Sequence, residues 1–325
     1  MAAYYPSAPS SDVFDMQTTV DPSYIISLIR KLLPNNIKTE NEAAWEEFGC
    51  ILWDLAVDKD LALLMVENLL LQVLLASLTV SKSSRITEIG LGLLANIACH
   101  DVLRNSIVSL PGLIDTVVDH LFVDDSLCLC QVFWLLTLGL QGSDCVTWAN
   151  ALQPEHILRR IFWVSENTLN IQLLEKVWKP EPSFFFFGYV LSSCPKLGHS
   201  LFLHLSDNNL LFGQSIGLVL AIVDSQQVGQ TLLPSLMQLG LPNLLVSILA
   251  CEMKHLSCER VPDRYPVLDT VLRVIEALSV LDNYSEVISS NKELLHLIYD
   301  LLKLPDKSEP ALSWFNEFGS APPLV

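Results

Sequence analysis

The sequence predicts an all-α chain whose helices stack into an armadillo-like repeat architecture, a superhelix or α-solenoid. Three observations lead there. Apolar residues recur at helical spacing along most of the chain, no run alternates with the period of a strand, and one apolar block returns at a nearly constant interval.

The first element follows Asp21-Pro22, where Tyr24, Ile25, Leu28, Ile29, Leu32 and Leu33 sit at helical spacing until Pro34 stops them. Later helices are separated by short polar breaks at Asp58-Lys59-Asp60, Ser81 to Ser84, Pro111-Gly112, Asp124-Asp125 and Gly142-Ser143. Ile51-Leu52-Trp53-Asp54-Leu55-Ala56 matches Leu93-Leu94-Ala95-Asn96-Ile97-Ala98, and 98 minus 56 is 42. Trp134 to Gly139 follows at nearly the same interval, 139 minus 98 being 41. Val219 to Val223 and Ile275 to Ser279 continue the series. Each block is followed by a second helix, at Leu110 to Ile114, Gly240 to Leu249 and Glu293 to Ile298. A unit this short cannot close its own core, so neighbours must stack. The repeat domain is expected over 23–304, between a disordered tail at 1–22 and a flexible tail at 305–325.

One stretch breaks the repeat. The segment 177–214 contains Lys179-Pro180-Glu181-Pro182 and Phe184-Phe185-Phe186-Phe187. The interval from Gly139 to Val223 is 84, twice the others, and taking out 177–214 leaves 46. Joining Lys176 to Ser215 restores a continuous helical pattern, so the stretch reads as an atypical insert, a retained, translated intron or a gene-model error, with a family-specific loop as the alternative. Its apolar character suits a water-facing loop poorly.

Composition narrows the function classes. Half the chain is apolar (51%), enough for a large core, and only 17% is charged. Thirty-six acidic residues against 19 Lys and Arg give a net charge of -17, which repels a phosphate backbone and argues against nucleic-acid binding. The start, Met1 to Pro6, lacks the basic and apolar regions of a signal peptide, and the eight cysteines are expected to be reduced. Leu61 to Leu78 and Leu201 to Val223 are long apolar tracts, but Glu67, Asn68, His204 and Asp207 within them argue against a membrane span.

The Gly240-x-Pro242-x-Leu244-Leu245-Val246-x-x-Leu249 run resembles the last helix of an armadillo repeat, and Leu93 to Ala98 resembles its groove helix. Pro242 suits a first helical turn, and Gly240 permits a sharp entry. Two blocks, Trp53 to Leu63 and Arg85 to Cys99, resemble the serum-amyloid-A-like proteins of the armadillo superfamily, as do Val146 to Gln153 and Asn170 to Lys176. The resemblance covers Glu40 to Lys176 and, more loosely, the residues after Ser215. It implies a non-enzymatic protein that binds protein partners, nuclear or otherwise cytoplasmic, and connected with cell proliferation. It supplies no catalytic residue and no cofactor. The alternative is a structural subunit of a larger complex.

Among single residues, Asn96 is the leading candidate for partner binding, because armadillo proteins that hold extended peptides place an Asn on the groove helix to bond the peptide backbone. Asp54 holds the matching place one repeat earlier. Gly92 and Cys50 stand one turn before them, where such families carry Trp. Asn96 can instead tie adjacent repeats through the backbone. Trp148 and Asn150, in the family-like block, complete the candidates. Trp53, Trp134, Trp148 and Trp163 read mainly as packing residues, with one or two of them expected to be exposed as partner anchors. Cys251, His255 and Cys258 fall on one helix face, an alternative metal or thiol site, but a zinc ion would need a fourth ligand, and Glu252 points elsewhere. Gly90 and Gly92 follow no strand and read as helix-packing positions. His100, His120 and His156 lie near helix ends, where they can meet free carbonyls.

Overall fold

The computed structural model of the chain describes residues 20–33, 42–177, 195–258 and 265–303. Among these are sixteen α-helices and no strand. They are α1 (Pro22–Lys31), α2 (Glu42–Leu55), α3 (Lys59–Glu67), α4 (Leu70–Val80), α5 (Ser84–Ala98), α6 (Asp101–Ser109), α7 (Leu113–Asp119) and α8 (Ser126–Leu140). There follow α9 (Cys145–Leu152), α10 (Glu155–Val177), α11 (Pro195–Asp224), α12 (Gln226–Gln238), α13 (Leu241–Cys258), α14 (Tyr265–Val280), α15 (Asp282–Ser289) and α16 (Lys292–Leu302). A 3-10 turn, His120–Phe122, extends α7.

The helices that carry the repeated block, α2, α5, α8, α11 and α14, pack in that order as one ladder. Behind it α4, α7 with its 3-10 turn, α10, α13 and α16 form a second layer. The sequence reading needs one correction: the repeat has three helices, not two. The short helices α3, α6, α9, α12 and α15 stand between each ladder helix and its partner in the second layer.

Local chemistry sets the helix starts. Asp58 accepts from the amides of Asp60 and Leu61 to begin α3, and Asp125 accepts from Cys128 N to begin α8. Gly112 and Gly240 precede α7 and α13 with φ of 81° and 98°, a left-handed backbone that a side chain would strain. The apolar tract Leu61 to Leu78 is split at Leu69 (φ 67°) into helices bent by 74°. No single helix among the described residues is long and apolar enough to cross a membrane.

Side chains of one repeat satisfy helix-end carbonyls of the repeat before it. Trp45 Nε1 and Ser77 Oγ both donate to the Leu32 carbonyl at the end of α1 (2.9 and 3.1 Å). Arg160 donates to the carbonyls of Leu121 and Val123 and pairs with Asp124. These bonds pin the layers in register, because the last carbonyls of a helix have no partner within it.

The α1 helix starts at Pro22, capped by Asp21, at the expected edge of the tail. Within the stretch 177–214, Leu211 and Phe212 are core residues of α11, while 178–194 lie outside the described residues, as do 1–19 and 304–325.

Candidate functional site

A ladder helix is flanked by neighbours on two sides and backed by the second layer. Only its remaining face can meet a ligand. In α5 even that face is closed: every residue from Ile86 to Ala98 is buried. Over Gly92 the cover is Trp53 of α2, whose ring lies across it. A Cβ at Gly92 would stand 2.2 Å from Trp53 Cζ2, so only glycine fits there. The tryptophan absent from position 92 is thus supplied in space by the preceding repeat.

Asn96, one turn further, is buried, and its Nδ2 donates to the Trp53 carbonyl at 2.8 Å. That carbonyl is left over because Val57 N turns to Asp54 O, tightening the end of α2. Beside it His100 Nε2 lies 3.0 Å from the Ala56 carbonyl, so that nitrogen carries the proton. The side chain of Asn96 therefore ties two repeats together. Asp54 is exposed next to this junction.

Trp148 is 2% exposed and packs under Gly139, where a Cβ would meet its Cδ2 at 2.5 Å. In the folded chain it offers no surface to a partner; the reason is the same glycine–indole contact seen at Gly92. Asn150, two residues on, is exposed at the end of α9. The structure thus separates the four candidates: Asn96 and Trp148 are inside, Asp54 and Asn150 outside and on different helices. Trp163 is 49% exposed, with the Arg160 guanidinium 4.4 Å over its ring.

The free face opens from α8 onward. Leu127, Gln131, Trp134 and Leu138 form a half-buried stripe along α8, and the side-chain Oε1 of Gln131 is buried without a hydrogen-bond partner. On the neighbouring α11 the corresponding stripe is Gly213, Gly217, Leu220 and Asp224. A Cβ at Gly213 or Gly217 would touch nothing within 4 Å. Asp224 reaches Arg273 of α14 at 3.6 Å. Sequence reasoning missed these two glycines; their spacing of four on one helical face was the available signal.

Cys251 is buried in α13, and the side chains of His255 and Cys258 lie outside what the structure describes. No group of three metal-binding side chains occurs among the described residues. Cys128 is buried in α8 and its thiol donates to the Ser84 carbonyl at 3.1 Å. Burial, and then the neighbouring Asp125 charge, push that thiol far above its ordinary range, which keeps it protonated and unreactive.

Computationally designed armadillo repeat proteins for modular peptide recognition superpose on the chain with a TM-score of 0.57, covering 87% of it and 93% of theirs at 10% identity. A designed armadillo repeat protein in complex with the peptide (KR)4 gives 0.56, covering 90% and 96% at 11% identity. The fold is an armadillo-type solenoid. In sequence the chain is similar to Protein SAAL1 of Homo sapiens, 30% identical over 162 residues, 46% of this chain and 34% of that protein. Protein saal1 of Danio rerio is 28% identical over 175 residues, 50% and 37%. The matched part spans about a third of these relatives' length. No family model matches the chain.

Proposed function

We propose that this armadillo solenoid is a non-enzymatic scaffold that holds a protein partner along the free face of its ladder, at α8, α11 and α14. One observation carries the reading. Gly213 and Gly217 leave a floor without side chains on α11, beside a helix that carries the half-buried Trp134 and Gln131, whose buried side-chain Oε1 has no hydrogen-bond partner. A backbone can approach closely over glycine, an indole supplies a flat apolar contact, and an amide supplies a hydrogen bond. Two solved neighbours are designed for, or bound to, peptides, which supports a peptide-like segment as the ligand. Asp54 and Asn150, the two exposed members of the four candidates, are proposed as peripheral contacts.

The test is proximity labelling in cells with the whole chain, its Gly217→Arg variant and its Trp134→Ala variant. A reproducible partner set lost in both variants supports the reading. Partner sets identical in all three oppose it. By the similarity to the SAAL1 proteins we further infer that the chain belongs with them, acts in the nucleus and supports proliferation. A fluorescent tag that stays out of the nucleus counts against the location.

A further inference from the structure

The second layer carries a contact stripe that is covered in every repeat where the structure shows it, except the last among the described residues. In α4 the core-facing Leu70 and Leu74 are followed in sequence by Leu71 and Leu75, and Leu78 completes the stripe. The same places are Ile114, Val118 and Leu121 in α7 and its 3-10 turn, and Pro242, Val246 and Leu249 in α13. All are buried except the half-buried Leu75, and in α13 the cover comes from the next helix of the layer, α16. In α16 the equivalent residues are Leu295, Tyr299 and Leu302, and they are 48%, 54% and 71% exposed. Val280, at the end of α14, adds an exposed side chain (76%) at the same end of the stack. Terminal repeats of solenoids ordinarily turn a polar face outward. The last repeat among the described residues turns an apolar face outward.

The charge beside the stripe indicates its occupant. On a helix, the exposed Lys292 and Lys303 fall along one edge of the Leu295, Tyr299 and Leu302 line, and His296 between them pairs with Asp300 at 3.4 Å on the side away from the line. Lys303 Nζ lies 4.0 Å over the Tyr299 ring. Two lysines beside an apolar stripe, on a chain of net charge -17, are a local exception, and they select an acidic occupant. A second copy packed antiparallel on this helix would bring Lys292 and Lys303 of the two molecules together, which like charges oppose.

We propose that this end of the solenoid docks an amphipathic α-helix of a partner protein, with apolar residues at i, i+4 and i+7 and carboxylates beside them. The site is separate from the ladder face and does not depend on it. Helix-in-groove recognition of this kind uses an apolar stripe for affinity and flanking charge for selection.

The experiment is fluorescence anisotropy with the full chain and two synthetic helical peptides, leucine-striped alike, one flanked by glutamates and one by lysines. The glutamate peptide is expected to bind saturably and to lose affinity as salt rises. The lysine peptide is expected to bind at least about tenfold more weakly. Leu295→Glu and Leu302→Glu, both at exposed positions, should each lower affinity for the glutamate peptide about tenfold or more while far-ultraviolet circular dichroism stays unchanged. Equal binding of the two peptides, or affinity unaffected by Leu302→Glu, overturns the proposal. So does a full chain that sediments as a dimer and becomes a monomer on Leu302→Glu, because the stripe then belongs to a second copy.

Discussion

Asn96 donates a hydrogen bond to the carbonyl of Trp53 across the junction between two repeats, at 2.8 Å, while the Trp53 ring covers Gly92 one turn away. The residue that peptide-binding armadillo proteins turn toward a ligand is here used to join the scaffold. Asn96→Ala removes the side-chain donor to that carbonyl at a part-buried junction. It should lower stability by about 1–3 kcal/mol, read as a lower denaturant midpoint. Asn96→Asp should be at least as harmful, because a carboxylate cannot donate to a carbonyl. An unchanged midpoint in both would show that the junction does not rely on this bond.

Glycines in the ladder should separate sharply by position. Gly92→Ala drives a methyl into the Trp53 ring and is expected to cost about 1–3 kcal/mol, with a shift in tryptophan emission as the ring moves. Gly217→Ala meets open space on a helix. It should be neutral or stabilising by up to about 1 kcal/mol. Thermal melts of the two variants give the comparison, and equal losses would contradict the packing described.

The thiols should differ in reactivity and in pH dependence. Exposed Cys99 should be alkylated in the native chain, and Cys128 only on unfolding. The folded-state value of Cys128 lies above its unfolded value of 9.0. Its contribution to stability is therefore constant below pH 9.0 and falls as pH rises above it, by about 1.4 kcal/mol per pH unit while only the unfolded thiol is ionised. Cys128→Ala should flatten that alkaline fall in a series of denaturation curves.

Deleting residues 177–214 should leave the ladder standing. The deletion joins Lys176 to Ser215, which brings Leu173 and Leu174 to the places of the buried Leu211 and Phe212. It also brings Glu175 and Lys176 to the half-exposed places of Gly213 and Gln214. Apolar residues thus replace core residues, while Glu175 takes the place of Gly213 on the proposed binding floor and leaves Gly217 in position. The shortened chain should keep a single cooperative melt at the same helicity per residue. Loss of cooperativity would make the stretch a necessary part of the fold.

Much of this was legible in the sequence. The near-constant interval between Ala56, Ala98 and Gly139 marked helices that do stack in one ladder, because stacking requires the same apolar face to return at a fixed spacing. The third helix of each repeat was not legible. Segments such as Asp101–Ser109 are short and polar on most of their surface, and they read as linkers. At the site, the comparison of positions 50, 54, 92 and 96 found a glycine where a tryptophan was expected. It had no means of showing that Trp53 fills the gap, since that contact crosses between repeats. The burial of Trp148 was hidden for the same reason: its partner is Gly139, on another helix.

The enclosure of α5 bears on how the molecule comes apart. In most linear arrays each unit can detach from the end with a cost set by one interface. Here separation on either side of α5 would uncover a helix with no wettable face, so the first three repeats should melt together. Fraying is directed to the opposite end, where α16 already shows water its apolar stripe. Native-state hydrogen exchange would then run as a gradient along the described helices, slowest around Ile89 to Ala98 and fastest over Lys292 to Leu302.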